Sequence, residues 1–541
     1  MSKKWLTMLV AFALVLGTAT AALAANAHPK GQIIFGIMGD ITTLNPVLSE
    51  ENSETEILNG IFSQLVRIDN KGGFLPDLAT EVPTVQNGGV SKDGLTYTFH
   101  LRKNAKWHDG QPVTSADVKF TWETIMNPKV QVVSRDGFDN IASIETPDKY
   151  TVVMHLKKII GGWLLTWAQT SGSILPEHIL GKVKPEDITK GQDFSRHPIG
   201  SGPFKFVEYK ENQYVILEAN KDYFGKGPYL EKVIFKLGLN TNNAIAALQT
   251  GEIDVWQPQP NQYKEVVKIS RLQVQKNPAS IYAHLTPNLR VPFLADKRVR
   301  QALSYAIPRE QIVSQILEGI GVPAAGSTSP VLWAYNKNVK PYPFDLKKAN
   351  ALMEAAGWKM GKDGIREKDG KKARISISTN AENATRVRIE QVLKEYWKQI
   401  GVDLEIKNYD TNTFFGDILE NVKFDLALFA WVTGADPDEY TLYHSTQIPT
   451  KENGMTGQNY MAFKNAEVDK LLDQGRASDD RKVRLPIYYK LQSVLHDELP
   501  LIPLYYYVNV DVAPKALKNF KPAPFTNAMT WNIYEWQLAA K

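Results

Sequence analysis

Residues 91–118 read SKDGLTYTFHLRKNAKWHDGQPVTSADV and contain the signals of a strand, a turn and a helix start in succession. Apolar and polar residues alternate over 95–101, which predicts a half-exposed strand with one face on a core. A turn at 107–112 then leads into a helix, because Thr114 is placed to cap it and Asp117 lies in its first turn. A strand, a turn and a capped helix in so short a segment indicate a protein that contains both α-helices and β-strands.

Strand and helix patterns continue on both sides of this segment. The other predicted strands are residues 31–38, 149–156, 204–209, 214–219, 233–237, 281–285, 403–406, 424–429 and 501–512. The clearest predicted helices are residues 299–306, 346–356, 385–400, 466–474 and 485–499. The fold class is therefore predicted as α/β, with mixed α+β lobes. At 541 residues the chain is longer than one typical domain, and without a low-complexity linker its parts should exchange chain through several crossings.

Charge and cysteine content limit the classes of protein to consider. The net charge of +5 comes from 63 basic and 58 acidic residues, spread along the chain without the basic stripe that nucleic acids need. Cysteine is absent, which excludes disulfides, thiolate metal sites, a cysteine nucleophile and lipid attachment through an N-terminal cysteine. These features favour a soluble globular protein that does not bind nucleic acid.

The start of the chain has the pattern of a secretory signal peptide, which we place at residues 1–27. Two lysines precede an uncharged run from Trp5 to Leu16, and small residues end the segment. An uncleaved anchor reaching Ala25 is the alternative, because that length just spans a membrane. The break at Gly17 and the small-residue end favour cleavage, so we expect a mature protein free in the periplasm.

Catalytic and cofactor motifs are missing from the sequence. It contains no nucleophile elbow, zinc-protease motif, phosphate-binding loop or dinucleotide fingerprint. The nine histidines are scattered without the spacing of metal ligands, so we predict no metal site and no cofactor. The acidic run at residues 436–439, taken alone, indicates a solvated loop. The chain reads as a binding protein and not as an enzyme.

Residues 91–118 also closely resemble the signature of extracellular solute-binding protein family 5. The resemblance continues, in the family's order, in PIGSGPF at residues 198–204, VRQALSYAI at 299–307 and NAEVDKLL at 465–472. That family contains dipeptide-, oligopeptide- and nickel-binding components of ABC importers. The resemblance implies a two-lobed periplasmic binding protein-like fold of the large peptide-binding type, which encloses its ligand when the lobes close.

The resemblance also implies a division of the chain into parts. Lobe one should combine residues 30–75, 197–290 and 506–541. An inserted domain packed on lobe one should span residues 76–196, and lobe two residues 291–505.

In peptide-binding members of that family, an aspartate after a strand-end Trp pairs with the ligand's ammonium group. By this resemblance Asp436, five residues after Trp431, is the candidate anchor. Familiar peptide binders carry the aspartate three residues after the Trp, where this chain has Gly434. Trp431, Trp333 and Tyr335 are further candidate ligand contacts, because aromatic rings supply contact area at low entropy cost; core packing is the alternative role for each.

The function implied by the resemblance is capture of small peptides for delivery to the permease subunits of an ABC importer, by a monomeric protein without catalysis. Within the same family, an oligosaccharide, an opine-like compound or chelated nickel stays open as the cargo. A secreted hydrolase or a periplasmic chaperone is the more distant alternative.

Overall fold

The computed structural model describes residues 31–49, 51–190, 192–525 and 528–539. Strands and helices alternate along the described chain, so the α/β prediction is confirmed. The predicted signal peptide lies outside the described residues. In the part of the chain that the structure describes, no helix is long and apolar enough to cross a membrane.

The first sheet has four strands, in the order Gln32–Met38, Lys232–Leu239, Tyr214–Ala219 and Phe204–Lys210. The first pair is parallel and the others are antiparallel. Beside the sheet, the helix Asn52–Ile61 contacts the 3₁₀ segment Met529–Glu535. The core here joins Phe35 and Phe235 of the sheet to Trp536 near the end of the described chain. Residues distant in sequence therefore complete one core.

A smaller three-stranded sheet contains the segment that opened the sequence analysis. Its order is Thr96–His100, Thr151–Leu156 and Ile141–Asp148. Tyr97 and Phe99 are buried, as the alternating pattern predicts. The helix Ser115–Met126 follows with Thr114 as its N-cap, and the Thr114 N–H donates to the Asp117 carboxylate at 2.7 Å. The predicted capping arrangement is confirmed.

The largest sheet has six strands, in the order Val322–Pro323, Ile502–Pro514, Leu272–Pro287, Leu426–Val432, Arg374–Ser378 and Asp403–Ile406. Helices Lys297–Tyr305, Leu346–Ala355 and Ala384–Lys398 supply apolar residues to the core that includes this sheet. Ala466–Arg476 and Arg481–Glu498 contact each other and pack in a second core nearby.

Two long antiparallel strands of the large sheet, Leu272–Pro287 and Ile502–Pro514, form a ribbon that extends to the core of the first sheet, where Ala513 is buried. Their register is interrupted between Pro278 and Tyr282. Residues 281–285 are the only part of the first strand that the sequence predicted, so its predicted start was wrong. The chain crosses between the halves of the molecule through this ribbon.

The remaining elements are short. Small strands are Val66–Ile68 with Phe74–Pro76, Leu517–Lys518 with Gln537–Leu538, and Lys359–Met360, Arg366–Lys368 and Lys371–Lys372 in a third group. The other helical segments are Trp163–Trp167, Thr170–Gly172, Glu177–Leu180, Pro185–Lys190, Gln192–Arg196, Thr241–Thr250, Pro260–Gln262, Tyr263–Val266, Pro292–Ala295, Arg309–Gln311, Ile312–Ile316, Thr411–Thr413, Phe414–Leu419, Tyr440–Tyr443 and Ser445–Gln447. The domain boundaries given above remain a prediction.

Candidate functional site

A cavity of about 940 Å³ lies where three parts of the chain face each other. One wall comes from the helix Asn52–Ile61 and the strand Val66–Ile68, a second from residues 165–171, and a third from residues 432–435. Its polar uncharged lining consists of Ser49, Asn52, Thr55, Asn59, Gln64, Ser134, Gln169, Thr170, Ser171 and Gln458. Amides and hydroxyls therefore dominate the polar lining.

Some of these amides are held by the protein and others are available to a ligand. Asn59 donates to the Thr530 hydroxyl at 3.3 Å, and Gln64 donates to Ser173 at 3.3 Å. Within the described chain, the side-chain amides of Asn52, Gln169 and Gln458 make no hydrogen bond. Each carries a donor and an acceptor, which suits a ligand rich in amide or hydroxyl groups.

The C-terminal end of the strand Leu426–Val432 lies at the wall of this cavity. The N–H of Thr433 donates to the Ser280 carbonyl at 2.7 Å, which anchors the chain after the strand. Gly434 follows on the cavity wall, and a Cβ added there would meet no atom within 4 Å. A glycine at this position keeps space open that a larger side chain would occupy.

A second cavity of about 630 Å³ adjoins the first, because Leu165 and Ala435 line both. Much of its lining is apolar: Phe74, Val82, Pro83, Val85, Val90 and Leu164. Its charged lining residues are Asp436, Asp479, Asp480, Arg481, Lys482 and Arg484. The two neighbouring cavities thus differ in chemistry.

Asp436, the predicted ammonium anchor, is bound by the buried guanidinium of Arg484. The two Nη atoms of Arg484 lie 2.7 and 2.5 Å from the Asp436 carboxylate oxygens, and Arg484 Nε donates to the Gly475 carbonyl. Burial lowers the pKa of Arg484, but the hydrogen bonds and charge of Asp436 outweigh burial and raise it above its usual value. Asp436 therefore presents a neutralised ion pair, and its role as an ammonium anchor stays a prediction.

The three predicted aromatic contacts pack against one hydrophobic core, but each contacts a different partner. Trp431 stacks on Tyr460 with ring centroids 6.3 Å apart. Trp333 lies 5.5 Å from the guanidinium carbon of Arg484, and Tyr335 packs at an edge of Tyr506. Among the described residues that line the two cavities, none of the three aromatics is present. Asp436 and Trp333 both contact Arg484, whereas Trp431 contacts Tyr460 and Tyr335 contacts Tyr506.

The acidic run at residues 436–439 is not the solvated loop that its composition indicates. Asp438 pairs with Arg476 at 2.6 Å. Glu439 is only 4% exposed, and burial raises its pKa to about 7 against a smaller opposing effect of Ser327. Two arginines distant in sequence account for the difference, because they neutralise aspartates that would otherwise require water.

Hydrogen bonds join the small sheet and its neighbouring loop to residues 476–481 across the second cavity. The N–H of Gly162 donates to the Asp479 carboxylate at 2.7 Å, and the Tyr97 hydroxyl donates to the same carboxylate. Arg481 reaches the Gly72 carbonyl at 2.7 Å. We call the contact of Asp479 with Tyr97 and Gly162 the Asp479 clasp. It holds two parts of the molecule together beside the cavities.

Sequence reasoning missed the amide lining of the larger cavity and Glu420, which also lines it. These residues come from several separate segments, so no local motif marks them. Among the described residues, no three or more histidine, aspartate or glutamate side chains are grouped so that they could hold a metal ion.

Comparisons with known proteins show similarity to one family along nearly the whole chain. The model of bacterial extracellular solute-binding proteins, family 5, matches residues 73–453. The oligopeptide-binding protein AppA of Bacillus subtilis is 33% identical over 547 aligned residues, covering 99% of this chain and 98% of that protein.

Two solved structures extend the comparison to the fold. AppA of Bacillus subtilis in complex with a nonapeptide has a TM-score of 0.77 and 34% identity, covering 95% of this chain and 100% of that chain. NikZ from Campylobacter jejuni in complex with Ni(L-His) has a TM-score of 0.78 and 30% identity, covering 94% of this chain and 100% of that chain. The predicted two-lobed fold is thereby confirmed.

Proposed function

Because this chain belongs to the bacterial extracellular solute-binding proteins of family 5, we propose that it captures small peptides between its two lobes and delivers them to the membrane permease of an ABC importer. The observation that carries the choice of peptide is the cavity of about 940 Å³ with its lining of amides and hydroxyls. Peptide main chain offers one donor and one acceptor per residue, which such a lining satisfies.

We propose that the protein works as an exported monomer in the periplasm after removal of residues 1–27, and that it releases its cargo unchanged. The leader pattern and the family support this assignment. In such a mechanism, the ligand shifts an equilibrium between open and closed lobes, and the permease recognises the closed form.

Asp436, Trp431, Trp333 and Tyr335 remain proposed ligand contacts. Asp436 would act as part of its ion pair with Arg484, which offers a ligand both an acceptor and donors. The three aromatic rings would have to turn toward a cavity as the lobes close, since core contacts hold them in this structure.

The test is a binding screen on protein that has been unfolded, stripped of carried ligand and refolded. We expect di- to nonapeptides to raise the melting temperature in a saturable way, because a ligand that binds only the folded state stabilises it. Oligosaccharides, opine-like compounds and nickel–histidine complexes are screened beside them. A shift with one of those compounds and none with any peptide would refute the peptide assignment.

Gly434→Leu locates the binding site in the same screen. A leucine side chain would fill open space at the cavity wall, and Gly434 does not have a positive φ, so the fold should tolerate it. We expect peptide affinity to fall about tenfold or more. Gly416→Leu is the matched control, because Gly416 also faces open space but does not line the cavity. Equal binding by both variants would place the site elsewhere.

A further inference from the structure

We propose that Glu420 recognises a positive charge on the ligand, which deepens the proposed function and rests on it. Glu420 lines the cavity of about 940 Å³, as do Val432 and Gly434. It follows directly after the helical segment Phe414–Leu419, whose Phe414 packs near Phe429 of the neighbouring strand. The carboxylate is thus carried on a packed element at the cavity wall.

Only two charged side chains line this cavity among the described residues, Arg67 and Glu420. Arg67 is already neutralised, because its Nε lies 2.9 Å from the Asp77 carboxylate and both side chains are buried. Its Nη1 also donates to the Trp531 carbonyl at 3.2 Å. The described lining of the cavity therefore supplies no free cation to balance Glu420.

Glu420 is exposed, and its carboxylate has no ion-pair or hydrogen-bond partner within the described chain. Nearby acids differ in this respect: Asp417 pairs with Lys423 at 2.6 Å, and Asp436 and Asp438 pair with arginines. Glu420 is the one carboxylate on the lining of this cavity that the described protein leaves unbalanced.

Closure of the lobes removes water from the cavity and strengthens the interaction of its charges. An unbalanced carboxylate then favours a ligand that brings a cation to it and disfavours one that does not. The cation has two possible sources in a peptide, the N-terminal ammonium and the side chain of lysine or arginine. Both have the chemistry of a charged N–H donor, and acetylation or lysine replacement separates them.

The experiment measures peptide affinity by calorimetry for the wild type, Glu420→Gln and Glu395→Gln. Glu395 is exposed, has no ion pair within the described chain and does not line the cavity, so its variant controls for net charge. The peptides are tetra-alanine and a form with lysine at the second position, each with a free or an acetylated N-terminus. A further peptide carries norleucine in place of the lysine.

We expect Glu420→Gln to weaken binding of the recognised cationic peptide about tenfold, and Glu395→Gln to leave it unchanged. A loss confined to free N-termini identifies the ammonium, and a loss confined to lysine peptides identifies the side chain. If Glu420→Gln binds every peptide as Glu395→Gln does, or if the wild type ignores both peptide charges, the inference is overturned while peptide binding stands. If the wild type binds none of the peptides, the proposed function fails and the inference fails with it.

Discussion

At the scale of single residues, three buried carboxyl groups have a raised pKa and are therefore weaker acids than usual. Burial raises the pKa of Glu56, Glu390 and Glu439 to about 7 in each case. Glu56 accepts hydrogen bonds from the N–H groups of Met529 and Thr530, and Glu390 accepts one from Asn408, but these lower the pKa by less than burial raises it. Above pH 7 the three carboxylates are charged but buried, and this lowers the stability of the folded state.

The pH dependence of stability follows from the direction of these shifts. A carboxyl whose pKa is higher in the folded state binds its proton more tightly there, so its contribution is complete below pH 4.5 and is lost as the pH rises through 7. We expect Glu439→Gln to be more stable than the wild type by about 1–3 kcal/mol at pH 8 and no more stable at pH 5. Urea unfolding at both values measures the difference. An equal change in the exposed control Glu395→Gln, or no change with pH, would contradict this account.

At the scale of elements, the Asp479 clasp joins the loop before the helix Arg481–Glu498 to the strand Thr96–His100. It adds hydrogen bonds to a charged acceptor between parts of the molecule that also line the second cavity. Contacts of this kind exist only when those parts are together. The clasp should therefore bias the molecule toward its closed form before any ligand arrives.

Removing the clasp should weaken peptide binding without touching the peptide site. We expect Asp479→Ala to lower affinity about three- to tenfold, because a smaller fraction of the protein then occupies the closed form. Tyr97→Phe should have a smaller effect, and the double variant should be no weaker than Asp479→Ala, since the two groups share one contact. Calorimetry gives the affinities, and X-ray scattering in solution should show a larger radius of gyration. Additive effects would mean that the two residues act independently.

Elements with local signals were predictable from sequence, and elements made by distant pairing were not. The capped helix after Thr114 and the strand Asp403–Ile406 follow from patterns within a few residues. The first half of Leu272–Pro287 alternates only over residues 272–275, which is too short to predict a strand, and it is a strand because Ile502–Pro514 pairs with it. The helix Arg481–Glu498 begins four residues before its predicted start and contains Pro486 in its interior. The candidate site was likewise not predictable from local sequence, because Asp436 and its partner Arg484 are 48 residues apart and meet only in the folded chain.

At the scale of the whole molecule, the core of the first sheet depends on residues near the end of the described chain. Trp536 is fully buried there, packs against Phe520 and donates its indole N–H to Asn532 at 3.1 Å. The same core contains Phe35 from the first described strand. Between the two, the chain passes through the large sheet and returns along the ribbon. Each half is therefore stabilised by its own core: the first core combines residues far apart in sequence, whereas the buried residues of the core that includes the large sheet all lie within residues 283–505.

Truncating Trp536 should destabilise one half of the molecule selectively. We expect Trp536→Ala to cost about 3–5 kcal/mol through the cavity it leaves. Hydrogen exchange should then speed up in Gln32–Met38 and Lys232–Leu239 more than in Arg374–Ser378. Trp358→Ala, in the core that includes the large sheet, is the reciprocal control and should affect the other half. Uniform acceleration after either change would show that the halves unfold as one unit.

The return of the chain to its first core also sets when that core can form during synthesis. Strand Gln32–Met38 emerges from the ribosome early, whereas Phe520, Ile533 and Trp536 emerge some five hundred residues later. Until then the half that contains the first strand lacks part of its interior and stays loosely organised. In the export that we propose for this chain, this order would be an advantage, because the earliest segments of the chain could not complete their core before translocation.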